Sequence, residues 1–540
     1  MSHQTEIGKE IVGMLMFSLY PEPRTIYREY IQNAYDSIRE AVETNLLSSL
    51  NDGIVYININ KSDRSITITD NGTGISEHNA EQRLKDIGNS IKRLMAMSNP
   101  RAGWYGVGRL VGAGYCQKLT FRTTYAGETS VSELVYDVNE IRRILQDNEI
   151  HCQAGEVIDR ATTFSTSNTE CEDSHWFEVT LSGVLPEYST LLDHNTIKSY
   201  IVQVAPLSYD MMFKRLVKKC ETEDDRNLFL NTDYIRINLN DETDLKKQYS
   251  DIIEGTGDKI HSLCVFRLND PYKGTPLAWG WYALTRFTKQ IEDTEKSALT
   301  RGLRLRVQNI QIGDGNYFGG KNFFKEARGN EFFNGEVHII ADSIHPTTDR
   351  SDLEPTEQAL LLKELLKEFF STQLQPIYKN ANEAKKAIEH YVVARDEYEK
   401  VAEKPITESF TEEVKEEKLA EQTRKKQDAN SKFATLKNRQ VKDETPEGVK
   451  KVIEIYIKEA ETGNIDIVNV TPAPKDTPSP KEEVVTDSLE DKMLKLSPKL
   501  SAKQISVVKK IFKIMDKLYG KKQADLIRSI QHSIVNGLLN

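Results

Sequence analysis

Cysteine is scarce in this sequence: five among 540 residues, Cys116, Cys152, Cys171, Cys220 and Cys264, with no Cys-x-x-Cys pair. So odd and dispersed a set argues against a disulfide framework and fits a reducing cytoplasm. The ten histidines are scattered as well, and no His or Cys pair has zinc-finger spacing, which removes that class of metal site. Long apolar runs are also missing. The longest early one, "IVGMLMFSLY", is about half the length of a membrane span and follows Glu6, Lys9 and Glu10 without a basic leader, so neither a membrane helix nor a signal peptide is expected. Nor is there an excess of positive charge: a net charge of −10 argues against wholesale electrostatic binding of nucleic acid. No internal repeat is found.

What the chain does have is a soluble composition, 38% hydrophobic and 29% charged, spread over a length that calls for about two or three domains. Residues 8 to 46 read as helices broken at "YPEPR", where Pro21 and Pro23 stop one before the next begins. In the second of these, "REYIQNAYDS", Ile31, Ala34, Ile38 and Ala41 share one face while Glu29, Asn33 and Asp36 share the opposite one. Taken alone, that polar stripe is a solvated face.

The strands "GIVYININ" and "RSITITD" alternate around "KSD" as a hairpin. A helical stretch, "AEQRLKDIGNSIKRLMAM", leads into the glycine-rich "RAGWYGVGRLVGAGY", and "KLTFRTTYAG", "SELVYDV" and "HWFEVTLSGV" supply further strands. Hairpins rather than βαβ crossovers make residues 1–188 an α/β sandwich with an antiparallel or mixed sheet. Residues 189–378 read as an α+β middle domain with strands such as "YIRINLN", "SLCVFRL" and "GEVHIIAD", closed by the amphipathic "TEQALLLKELLKEFFSTQLQ". A charged helical or coil segment follows over 379–466, then a Pro-rich linker over 467–486 and a small basic helical hairpin over 487–540. From Asp491 onward 11 Lys and Arg face 3 Asp, a local charge of +8.

Three clusters of the first 110 residues stand in a definite order: the Glu29, Asn33, Asp36 stripe, then "ITDNGTGI" with Asp70, Gly72 and Gly74, then "GWYGVGRL" with Gly103, Gly106 and Gly108. Each alone is ordinary, an Asp-Asn-Gly turn or a tight glycine loop. Together the pattern resembles the GHKL superfamily of ATPases, with its Bergerat-type fold shared by DNA gyrase B, histidine kinases, MutL and the ninety-kilodalton heat-shock chaperones. "EIVGMLMFSLYPEPRTIYREYIQNAYDSIREA" is most similar to the chaperone branch. The resemblance covers residues 6 to about 125 and continues more faintly to about 370.

The resemblance implies ATP and Mg²⁺ as cofactors and gives each residue a role. Glu29 would hold and deprotonate the attacking water, and the amide oxygen of Asn33 would ligate Mg²⁺. Asp36 would brace the helix or a water. Asp70 would accept from the adenine amino group, with Gly72 and Gly74 leaving room for the base. Gly103, Gly106 and Gly108 would bring backbone N–H groups to the phosphates beneath a lid over residues 85 to 108. In the second domain "GLRLRVQNIQIGD" and "ADSIHPTTDRSDLEP" resemble the chaperone middle segment, and Arg350 matches the arginine that reaches the terminal phosphate. His345 receives no role. One departure is plain: where chaperones carry Gly-Thr before the late strand, this chain has Trp176 and Phe177.

These readings predict a cytoplasmic, Mg²⁺-dependent ATP-hydrolysing conformational machine that remodels a protein client, with a homodimer formed through a distal segment. A second reading is a nucleic-acid-engaging GHKL ATPase of the MutL or Microrchidia kind, in DNA maintenance or antiviral defence, using the basic tail after Asp491. A histidine kinase is disfavoured, since its phosphoacceptor domain precedes the ATP domain and the motifs here begin at residue 29.

Overall fold

The structure, a computed structural model, describes residues 7–18, 22–87, 108–168, 170–253, 258–285, 299–319, 323–325, 327–403, 411–443 and 445–462. Gly103, Gly106, nearly all of the expected lid, the Pro-rich run and the basic tail lie outside these residues.

Strands β1 (Ile54–Asn60) and β2 (Ser65–Asp70) form the expected hairpin, in register from Val55↔Asp70 to Asn60↔Ser65. That register puts Val55, Ile57, Ile59, Ile66 and Ile68 on one buried face. Each such side chain contributes about 1.5–3 kcal/mol on burial, so a one-residue slip, which would turn all of them to water, is strongly disfavoured. With β3 (Lys118–Thr124), β4 (Ser130–Asp137), β5 (Thr162–Asn168), β6 (Trp176–Ser182) and β7 (Arg236–Leu239) they build a sheet of order β5-β4-β3-β6-β2-β1-β7. All neighbours are antiparallel except β7, which runs parallel to β1. The α/β class with a mixed sheet is therefore the observed one. The first core also runs past residue 188, since Ile197, Ile201, Ile235, Ile237 and Leu239 belong to it.

Short helix α1 (Glu10–Gly13) passes into a wider turn over Met14–Ser18, and α2 (Thr25–Glu43) begins two residues after Pro23. Ile31, Ala34 and Ile38 of α2 join the core. Beyond α3 (Glu77–Lys85), two helices that the sequence reading did not distinguish, α4 (Val138–Gln146) and α5 (Ala154–Ala161), sit between β4 and β5. Asp137 caps α4 by accepting the Glu140 N–H at 3.1 Å, and Val138, Ile141 and Ile144 bury its apolar side.

After α6 (His194–Val204), α7 (Met211–Val217) and α8 (Glu223–Leu230), a second mixed sheet forms from β8 (Ile252–Ile253), β9 (Asp258–Asn269), β10 (Pro276–Thr285), β11 (Gly302–Val307), β12 (Ile310–Ile312) and β13 (Asn334–Ile339). Its order is β12-β11-β13-β10-β9-β8, with β11 and β13 parallel. Helices α9 (Glu357–Phe369), α10 (Gln375–Ala402), α11 (Glu412–Gln440) and α12 (Glu447–Thr462) follow. They do not form a separate solvated segment. Val449, Val452, Ile453 and Tyr456 of α12 share one core with Leu303, Leu305 and Val337 of the sheet, because a sparse apolar stripe suffices for docking when the other faces are charged.

A charged cluster lies at the heart of this second layer. Glu336 is fully buried and accepts from Lys247 Nζ at 2.8 Å, from Tyr209 Oη at 2.6 Å and from Arg306 Nε. His338 Nε2 lies 3.1 Å from the same carboxylate, and its ring stacks on Trp279 at 4.5 Å. Lys247 also donates to Asn309 Oδ1 at 2.6 Å, and Asn309 Nδ2 donates to the carbonyl of Asp233 at 2.8 Å, linking the cluster to the segment before β7. Among the described residues no helix is long and apolar enough to cross a membrane, and all five cysteines are free thiols.

Candidate active site

Helix α2 is buried nearly all round. Its polar stripe is no wet face: Glu29 is 5% exposed, Asp36 0%, Arg28 7% and Gln32 4%, while Asn33 is half-buried. Burying carboxylates in this way is costly unless neighbours or a ligand compensate, so what surrounds them decides their use.

The glycine loop comes first. A Cβ on Gly108 would fall 2.6 Å from Glu29 Oε2, so the last glycine of "GWYGVG" lies against the Glu29 carboxylate. The next turn is clasped by Tyr30, whose hydroxyl donates to the Arg109 carbonyl at 2.9 Å and accepts the Gly112 N–H at 3.0 Å. One helix thus holds both the carboxylate and the described end of the loop. Gly103 and Gly106 lie outside the described residues.

The "TDNGTG" turn meets the other half of α2. A Cβ on Gly72 would stand 2.1 Å from Ser37 Oγ, and the Thr73 N–H donates to the Ser37 carbonyl at 3.3 Å. Asp70, 5% exposed at the end of β2, accepts the Gly72 N–H at 2.9 Å through Oδ1. Gly74 has φ +68°, and a Cβ there would fall 1.9 Å from the Thr124 carbonyl, so only glycine fits without displacing β3. His175 Nδ1 lies 2.8 Å from the Gly72 carbonyl; since a carbonyl only accepts, the proton sits on Nδ1. Phe177 stands directly across from Asp70 in the sheet, its ring 5.9 Å from Phe121. The wall beside Asp70 is therefore aromatic at this position, and the nearby Thr123 hydroxyl is engaged by Ile75 N–H at 2.8 Å and the Trp176 carbonyl at 3.0 Å.

Arg350 arrives from the second layer. It is 2% exposed and sits in the left-handed region at φ +54°, its N–H bonded to the Thr347 carbonyl at 2.9 Å and its carbonyl accepting from Gly313 N–H at 2.7 Å. The connection to α2 runs through a residue that the sequence reading missed. Arg28 Nη2 donates to Glu29 Oε1 at 3.4 Å and to the Asp349 carbonyl at 2.9 Å, so the neighbour of Glu29 reaches the neighbour of Arg350. Its only sequence signal was a cation next to the motif glutamate. The Asp349 carboxylate is engaged by the Thr347 hydroxyl at 2.8 Å and by Ser351 N–H at 3.1 Å. Burial pushes its pKa up, but these hydrogen bonds outweigh it and hold the carboxyl below its usual range.

The donor set suits a hard cation that brings its own ligands. Among the described residues no group of three or more His, Cys, Asp or Glu side chains gathers to hold a metal. The amide of Asn33 lies on the Glu29 and Asp36 side of α2, and the adjacent Gln32 Oε1 is buried with no hydrogen-bond partner among the described residues. Neutral amide oxygens fit Mg²⁺ that keeps waters and substrate phosphates as its remaining ligands.

Residues 22–164 match the family described as "Histidine kinase-, DNA gyrase B-, and HSP90-like ATPase". The chain is similar to the "Chaperone protein HtpG" of Buchnera aphidicola subsp. Baizongia pistaciae, 29% identical over 164 residues, which are 26% of each protein. It is similar also to that of Vesicomyosocius okutanii subsp. Calyptogena okutanii, 24% identical over 238 residues, 40% of this chain and 36% of the relative. The similarity thus spans about a quarter to a third of the length of these curated relatives.

Proposed function

From the GHKL-type ATPase domain matched at residues 22–164, we propose that the chain is an Mg²⁺-dependent ATPase whose nucleotide cycle drives a conformational change acting on a protein partner, in the manner of a chaperone. One observation carries this reading: α2 brings Glu29 against Gly108 and Ser37 against Gly72, so a single helix joins the hydrolytic carboxylate, the phosphate loop and the base turn. Glu29 takes the proton of the attacking water as it adds to the terminal phosphorus, and its burial keeps that carboxylate aimed rather than solvated. Asp70 receives the adenine amino group on a strand end that cannot drift, since Gly72 and His175 fix the turn behind it. Arg350 neutralises charge on the phosphoryl oxygens as the bond to the leaving group breaks. Asn33 would hold Mg²⁺ through its amide oxygen, and the ion would supply charge neutralisation at the phosphates. The resemblance of the chain to the chaperone HtpG supports a protein client and a dimer as the wider setting.

The first test is base recognition. Asp70→Asn keeps the shape but turns one acceptor oxygen into a donor and removes the charge. A hydrogen bond to a charged group is worth about 1.5–3 kcal/mol, so ATP affinity should fall about 10–100-fold by titration calorimetry. Unchanged affinity would sink the assignment of this strand end to the base.

A further inference from the structure

We infer that Gln311, oriented by Arg304, is a positioning residue for Arg350; the inference rests on the reading of Arg350 as the arginine that stabilises the transferring phosphoryl group. Arg350 is held in a left-handed backbone conformation at φ +54°, which a residue with a Cβ adopts only when its surroundings impose it. The Gly313 N–H imposes it at 2.7 Å on the Arg350 carbonyl, and Gly313 is itself left-handed at φ +65°. Gln311 sets Gly313, since its Nε2 donates to the Gly313 carbonyl at 3.1 Å.

The orientation of that amide is determined, because Arg304 Nη1 donates to Gln311 Oε1 at 2.8 Å and a guanidinium has no acceptor to offer. The oxygen must face Arg304 and the NH₂ must face Gly313. Gln311 is 3% exposed and Arg304 1%, so water does not compete for either contact. Arg304 Nη1 also donates to Gln203 Oε1 at 3.1 Å, and Gln203 lies in the last turn of α6, whose Ile197, Ile201 and Val202 are buried in the first core with α2. From α6 to Arg350 the contacts form one continuous chain: Gln203, Arg304, Gln311, Gly313, Arg350. The layer carrying Glu29 thereby fixes the loop that carries Arg350 through a second set of contacts besides Arg28. Displacing a catalytic group by about 1 Å costs up to about 10²-fold in rate.

The test is a double-mutant cycle on ATP turnover in the full chain, with ATP affinity measured alongside. Gln311→Ala should lower kcat about 10-fold with KM and ATP affinity unchanged, and it should add nothing in an Arg350→Ala background. Gln311→Glu keeps the acceptor for Arg304 but loses the donor to Gly313, so it should be as slow as Gln311→Ala. A Gln311→Glu variant with wild-type kcat would show that the amide serves only to satisfy Arg304 and would overturn the inference. An intact effect of Gln311→Ala in the Arg350→Ala background would overturn it as well. If Gln311→Ala fails to bind ATP, Gln203→Ala at the half-buried end of the chain replaces it, with about a threefold loss of kcat expected and the same non-additivity required. Wild-type kcat in Arg350→Ala would instead remove the reading of Arg350 itself, and the positioning role with it.

Discussion

Replacing Glu29 with alanine is expected to lower ATP turnover by at least about 10²-fold, the usual worth of a positioned general base, while ATP affinity stays close to that of the parent chain. The carboxylate is 5% exposed and held between the Arg28 guanidinium and the α-carbon of Gly108, so no bulk water can take over its place or its proton. Affinity survives because the base turn around Asp70 and the loop clasped by Tyr30 do not depend on it. Glu29→Gln, which preserves shape and hydrogen bonding but is no base, should be as slow. Phosphate release under single-turnover conditions reads the first quantity and calorimetry the second. A Glu29→Ala variant that hydrolyses ATP at the parent rate would refute the mechanism, and a slow variant that holds nucleotide would be the trap with which to capture a client.

The second large effect concerns stability. Glu336→Gln should destabilise the chain by about 3–5 kcal/mol, because it strands Lys247 and Arg306, both buried beside it, without their counterion. Urea unfolding followed by tryptophan fluorescence reports it, since Trp279 and Trp281 lie in the same layer. The substitution Lys247→Met in that background should recover part of the loss, as one of the two unpaired cations is gone. No recovery, or a loss below about 1 kcal/mol, would mean that the cluster is not coupled as its geometry indicates.

His338 gives the same cluster a pH signature. Burial pushes its pKa down to about 4, against the pull of Glu336. Between about pH 6.5 and pH 4 the unfolded chain therefore binds a proton that the folded one refuses, so this residue's contribution is full above pH 6.5 and is lost as pH falls through that window. His338→Gln should flatten the decline in that range. An unaltered pH profile would count against a neutral buried imidazole.

Much of the first layer was legible in the sequence because its signals are local. Alternation placed β1 and β2, Pro23 placed the start of α2, and the glycines marked turns at which a Cβ has no room. The burial of Glu29 and Asp36 was not legible from α2 alone, since period and polarity are the same for a wet face and for a ligand face; only the order of three distant clusters separated them. Arg28 escaped notice because its partner, Asp349, lies far along the chain. Glu336 and His338 alternate with Val337 like solvent-facing residues of an edge strand, yet both are buried, because Lys247 and Tyr209 arrive from elsewhere. Helix α4 carries regular apolar spacing at Val138, Ile141 and Ile144, and α5 at Val157, Ile158 and Ala161, a signal present but overshadowed by the strands around it.

Strand β7 has a consequence for synthesis. It closes one side of β1 but lies roughly 180 residues downstream, and at about 5–20 residues per second the ribosome takes roughly 10–40 s to deliver it. Throughout that interval "IVYININ", a segment with neither charge nor proline, presents an open edge of the kind that pairs with the wrong strand. A chain similar in part to proteins named chaperones must itself cross that hazard on the way to being made.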